Sequence, residues 1–282
     1  MHATDVVGGA ATYAAIAATL FVPARVVAVV GRDFPVSALE KLKERGVDTL
    51  GMTVADGQTF RWKGRYAADL SSRETLDTQL NVFASFRPEL PTTYRDSRLV
   101  LLGNIHPELQ LRVLDQVSEP WLVAADTMNY WIDGTRAELL EVLRRIDTLI
   151  INDEEVRQLA GIHNLRRAAK AVLELGPRRL IVKRGEHGAM LFDDHGMFFA
   201  PAYPTDTEVD PTGAGDTFAG ALLGYLASQG PAGINRFRLG LLYASAVAAF
   251  CVEGVGTRRL ESVRADQVAQ RVKELETLVS FR

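Results

Sequence analysis

Residues 209–220 read VDPTGAGDTFAG, and the chain then turns abruptly apolar in FAGALLGYL. Phe218, Leu222, Tyr225 and Leu226 recur at helical spacing, so a helix starts close to Asp216. A helix N-terminus presents unpaired backbone N–H groups and a partial positive charge. Glycines let those donors approach an anion with no Cβ in the way. Gly213, Ala214 and Gly215 therefore form a seat suited to a phosphate. Asp216 has two readings. It caps its own helix, or it takes a proton from a hydroxyl as that oxygen attacks phosphorus while the backbone donors stabilise the transferred charge.

Outward from this loop, apolar strands alternate with helices. VVAVVG (26–31), RLVLLG (98–103), WLVAAD (121–126), DTLIIN (147–152) and RRLIVK (178–183) read as buried strands. SALEKLKERG (37–46), PELQLRVLDQV (107–117), TRAELLEVLRRI (135–146) and DEEVRQLA (153–160) read as the helices between them, the first with Ser37 as its N-cap. Such alternation predicts an α/β fold with a mostly parallel sheet covered on both faces. Ligands of open parallel sheets sit at the carboxyl ends of the strands. Polar and glycine residues gather past those ends: Gly31–Asp33, Gly103-Asn104, Asp126–Asn129, Asn152–Glu155 and Lys183–Gly185. Asn104, Asp126 and Asn129 are there either to contact a substrate or to form turns.

Two stretches break the alternation. Residues 49–66 read as strand, Asp-Gly turn, strand, a hairpin whose second arm carries Phe60, Trp62 and Tyr66. It pairs with the main sheet or stands off as a flap. Residues 189–203 read as a second hairpin, and the chain from Asn235 on is mostly helical.

The 282 residues are 47% hydrophobic and 24% charged, with a net charge of −3, the profile of an ordinary globular protein. Nothing in that balance points to nucleic acid or a membrane surface. The single cysteine, Cys251, reads as core packing and excludes an internal disulfide. The five histidines show no metal-ligand spacing. No signal peptide or membrane span is visible, so cytoplasmic location is the expectation. Neither a P-loop nor a dinucleotide fingerprint occurs. Gly185 and Gly188, in GEHG, bring backbone near a nucleotide or simply turn into the second hairpin. Gly8-Gly9, ahead of ATYAAIAATLF, holds a substrate hydroxyl or simply opens a helix.

Taken together, DPTGAGDTFAGALLGYL, Asn152-Asp153-Glu154-Glu155, the Gly8-Gly9 pair and VKRGEHGA resemble, in order, the motifs of the ribokinase-like (phosphofructokinase-B) family of carbohydrate and nucleoside kinases. The resemblance implies a single three-layer α/β/α domain over residues 1–282, with a small β lid at about 49–66. It implies transfer of the γ-phosphate of ATP to a hydroxyl of a small sugar or related carbohydrate, or of a nucleoside. Asp216 matches the base, Gly213, Ala214 and Gly215 the anion hole, and Gly8 and Gly9 the diglycine on the substrate side, where Asn104 and Asp126 are candidates by their strand-end position alone. Asn152, Lys183, Gly185, Gly188, Ala244 and Ala248 match the nucleotide side. Glu155 matches a residue that organises Mg2+ through water. The resemblance also implies a monovalent cation such as K+ near 206–210 and 254–256, and a homodimer through the lid.

Three departures stand out. Pro211 replaces a common threonine and lacks an N–H. Tyr13 stands where many sugar kinases of the family carry asparagine. Gly8 comes too early for the strand, with its sugar-binding aspartate, that the family places ahead of the diglycine. A misassigned start, a truncation or a true loss explains this. True loss implies an incomplete sheet and lid, weak activity, and in the limit a nucleotide-binding protein without catalysis.

Overall fold

The computed structural model describes residues 3–67, 73–230 and 234–280. The chain opens with α1 (Ala10–Ala18), β1 (Ala24–Gly31), α2 (Val36–Glu44), β2 (Val47–Ala55), β3 (Arg61–Tyr66) and β4 (Arg73–Gln79). Regular alternation follows through β5 (Leu99–Leu102), α3 (Pro107–Leu114), β6 (Leu122–Ala125), α4 (Asn129–Gly134), α5 (Arg136–Leu143), β7 (Thr148–Asn152), α6 (Asp153–Ala160), α7 (Leu165–Leu173) and β8 (Arg179–Lys183). Then come β9 (Ala189–Asp193), β10 (Gly196–Ala200), α8 (Ala214–Gln229), α9 (Ile234–Val252) and α10 (Ala265–Leu278).

The main sheet has the order β10-β9-β8-β7-β6-β5. β5 to β8 pair in parallel, and β9 and β10 add antiparallel, the second hairpin expected from the sequence. Strands buried on both faces read as near-continuous apolar runs, as β6 does throughout and as β7 and β8 do between their end residues, Leu149–Ile151 and Leu180–Val182. Their side chains divide by the period of two. Leu122, Ala124, Ile150 and Ile181 face the core shared with α1, α8 and α9. Val123, Ala125, Leu149, Ile151, Leu180 and Val182 face the core shared with α5, α6 and α7. These two cores make the three layers.

The hairpin expected at 49–66 does not form. β2 pairs in parallel with β1, while β3 pairs antiparallel with β4 in a separate two-stranded ribbon. The cause lies in the loop between them. Arg32 donates from its backbone to the carbonyl of Gly57 at 3.1 Å. Thr59 accepts from the Gly31 N–H and donates through both its N–H and its hydroxyl to Asp33. The chain leaving β2 is thus pinned across the end of β1, and β3 departs from the sheet. The lid is β3–β4, and Ser37 is not the N-cap of α2, whose cap position is Pro35.

Among the described residues β1 and β2 form a two-stranded sheet separate from the six-stranded block that ends at β5. Residues of β1 and β5 line one cavity of 2930 Å3 that reaches the lid and α8. That is roughly three times the ~1,000 Å3 upper range of a small-molecule pocket.

Cys251 is fully buried on α9. Burial pushes its thiol up to about 12, which keeps it a poor nucleophile. Native protein should therefore react with a thiol reagent only slowly and take up one equivalent on denaturation. Rapid labelling of the native protein would contradict this packing.

Candidate active site

The site is assembled at the carboxyl ends of β6, β7 and β8, facing the N-terminus of α8. Gly213 is the N-cap of α8 in a left-handed conformation (φ 79°). A methyl group there would also overlap the ring of Tyr13. Only glycine meets both conditions. Tyr13 is buried beneath the loop, and burial, reinforced by Cys251, Asp210 and Asp216, pushes its phenol well above the ordinary range. It serves as a neutral prop. Thr212 is fixed from two sides: its N–H donates to Asp210 at 2.9 Å, and its hydroxyl donates to the Tyr66 hydroxyl at 3.0 Å. The lid thereby touches the glycine loop. Ala214 already donates its N–H to the Pro211 carbonyl at 3.2 Å. Asp216 lies in the first turn of α8 and lines the cavity, as do Gly8 and Gly9.

Asn152 and Glu155 form a reciprocal capping box at the start of α6. Asn152 Oδ1 accepts from the Glu155 N–H, and a Glu155 carboxylate oxygen accepts from the Asn152 N–H, both at 2.8 Å. The N-x-x-E spacing thus has a local cause. Asn152→Ala should lower stability by about 1 kcal/mol, read as a shift in the denaturation midpoint at unchanged slope.

Lys183 ends β8, and its ammonium donates to Asp126 at 2.8 Å. The other Asp126 carboxylate oxygen accepts from the Thr127 N–H at 2.7 Å, and its carbonyl accepts from Gln110. Asp126 is therefore held from three directions. Burial alone would lower the Lys183 pKa, but Asp126, Glu155 and Asp216 outweigh it and hold it above the usual lysine value. Asn104 accepts from the Trp131 indole N–H at 3.0 Å, and His106 meets Trp131 edge-on at 5.0 Å between centroids. All three line the cavity. Trp131 and His106 escaped the sequence reading, and the one available signal was an aromatic residue two places past Asn129 at a strand end. Of the aromatics singled out there, Tyr13 is buried, and Trp62 lies across Gly64 in the lid.

The nucleotide-side positions are spread more widely. Gly185 opens the single turn after β8, and Gly188 (φ 82°) packs so closely on the Ala200 carbonyl that a Cβ would overlap it. Ala244 is fully buried in the core, and Ala248 is partly buried against it. Neither lines the large cavity. Near the expected cation position, Val209 and Asp210 donate their N–H groups to the Val252 carbonyl. Among the described residues no group of three or more His, Cys, Asp or Glu could hold a metal ion, and no helix is long and apolar enough to cross a membrane.

The backbone resembles that of known kinases. A structure assigned as an Escherichia coli ribokinase II, in complex with ATP and Mg2+, superimposes with a TM-score of 0.80, 24% identity, and coverage of 96% of this chain and 90% of that one. The Burkholderia thailandensis nucleoside kinase in complex with inosine gives 0.77 at 20% identity, covering 95% and 86%. In sequence, the cytidine kinase of Thermococcus kodakarensis is 30% identical over 239 residues, 83% of this chain and 84% of that protein. The model of the pfkB family carbohydrate kinases matches residues 2–263. With the glycine loop, the capping box and the layered sheet in place, the chain belongs to the pfkB family of carbohydrate kinases, whose relatives include sugar and nucleoside kinases.

Proposed function

We propose that the protein transfers the γ-phosphate of ATP to a hydroxyl of a nucleoside or small sugar, with Asp216 as the base. The observation that carries this reading is the placement of Asp216 in the first turn of a 16-residue helix, behind the left-handed Gly213, on the wall of the large cavity. The amides of Gly213 and Gly215 face no backbone acceptor among the described residues, which suits them to a phosphate. Phosphoryl transfer depends on positioning and charge stabilisation more than on covalent help. Asp216 would take the hydroxyl proton as the new P–O bond forms.

Mg2+ fits the donor set. The absence of a dense acidic cluster among the described residues suits an ion that keeps most of its water and leans on substrate phosphates. Glu155 beside Asn152 is the residue we assign to it, through water. Bound Mg2+ would neutralise charge on the phosphates. A monovalent cation near 206–210 and a homodimer through the β3–β4 ribbon complete the proposal, which sedimentation with and without K+ would examine.

A nucleoside acceptor is favoured over a free sugar by the Trp131–His106 pair beside Asn104, which offers a base an aromatic wall. The 30% identity to a cytidine kinase points the same way. An ATP-consumption screen across nucleosides, sugars and polyols tests the reading. Turnover on a nucleoside supports it, turnover on sugars alone moves the acceptor class, and ATP binding with no turnover indicates a non-catalytic nucleotide-binding protein.

A further inference from the structure

α3 is capped by His106, an uncommon residue for that place. Serine, threonine, aspartate and asparagine are the usual helix N-caps. Here the imidazole caps instead: its Nδ1 accepts from the Glu108 N–H at 3.1 Å, across Pro107, which has no N–H. A serine would cap α3 as well. The imidazole adds a second nitrogen. Because Nδ1 accepts, it carries no hydrogen, and the ring hydrogen sits on Nε2. Nε2 has no hydrogen-bond partner among the described residues, and the ring lines the large cavity edge-on to Trp131. Asn104 is set in the same sense. Its Oδ1 accepts from the Trp131 indole N–H at 3.0 Å, and its Nδ2 has no partner among the described residues. Two N–H donors therefore flank the Trp131 indole, while the matching acceptors, His106 Nδ1 and Asn104 Oδ1, are already engaged. The support behind them is firm. Gln110, one turn further along α3 and only 1% exposed, donates to the Gly103 carbonyl at 2.9 Å and the Asp126 carbonyl at 3.0 Å. That amide ties α3 to the chain just past β5 and β6.

Resting on the nucleoside reading above, we propose that His106 and Asn104 are specificity-determining residues that donate to a carbonyl oxygen of the nucleobase. A carbonyl oxygen has two lone pairs and can accept from both donors. A ring nitrogen accepts from one. An exocyclic amino group would set N–H against N–H and leave partly buried donors unpaired, which is costly. Uracil, cytosine, hypoxanthine and guanine each carry such an oxygen, and adenine carries none. The wall therefore favours the carbonyl bases over adenine, with Gln110 as the positioning residue that holds α3 in place.

The test is steady-state kinetics with ATP on carbonyl nucleosides and their deleted partners. Inosine is paired with purine riboside, which lacks the base oxygen, and uridine with the two analogues that each lack one base oxygen. Adenosine is the carbonyl-free natural nucleoside. In wild type, deleting the recognised oxygen should lower kcat/KM by about 10- to 100-fold, mainly through KM, the scale of a hydrogen bond whose loss strands a donor. Two variants separate recognition from folding. His106→Phe keeps a ring against Trp131 and loses the donor. His106→Ser keeps a capping oxygen and loses the donor. Both should bring the ratio within each pair to about threefold or less, with ATP affinity by calorimetry near wild type. Adenosine as the preferred nucleoside, or a carbonyl preference that survives in either variant, would overturn the assignment and leave the nucleoside reading standing. Turnover on sugars alone, or on nothing, would remove both.

Discussion

Replacing Asp216 by asparagine is expected to lower kcat by about 10²- to 10⁴-fold, the range of a positioned general base, while ATP affinity is kept or slightly improved. Asparagine preserves the shape of the side chain in the first turn of α8, so Gly213 and Gly215 stay in place. It cannot accept the hydroxyl proton, and it removes a negative charge beside the phosphates. An interaction made only in the transition state shows itself as a loss in kcat and kcat/KM together. Steady-state kinetics with calorimetric ATP binding makes the comparison. Turnover near wild type would leave Asp216 as a helix-terminal residue and nothing more.

Gly220→Val is expected to be the most damaging substitution for stability. α8 lies on α1 so closely that a Cβ on Gly220 would overlap the backbone carbonyl of Ala14, and one on Gly224 would come within 2.8 Å of Ala18 Cα. Backbone cannot rotate aside as a side chain can. Overpacking against it should cost about 3 kcal/mol or more, a fall in Tm of roughly 6–12 °C for a domain of this size. Gly134 is a fitting control, since a Cβ there meets nothing within 4 Å, and Gly134→Ala should change stability by less than about 0.5 kcal/mol. A Tm for Gly220→Val equal to that of the control would show that the helices can separate freely.

The strands and the glycine loop were legible because their causes are local. Runs such as DTLIIN carry their burial in their own composition, and a glycine pair before a helical apolar stripe states its geometry within eight residues. The boundary between β2 and β3 was not. The Asp56-Gly57 turn has the composition of a hairpin, but the ties from Gly31, Arg32 and Asp33 that redirect the chain come from residues about 25 positions earlier. The same limit explains Asp126. Its position past a strand marked it for the cleft, yet its partner is 57 residues away, and only the strand order brings Lys183 to it.

The close approach of α1 to α8 has a consequence for how damage spreads. β1, β2 and α2 are tied to the rest of the chain by a few contacts: α1 seated on the glycine face of α8, Arg25 on Asp96 and Ser97, the Tyr94 hydroxyl on the Asp48 carbonyl, and Lys41 and Arg45 of α2 on Glu261 and Val263. Because the α1–α8 seam is backbone against backbone, a side chain added at Gly220 or Gly224 would push on α1 itself, and so on Gly8 and Gly9 at its start and Tyr13 under the glycine loop.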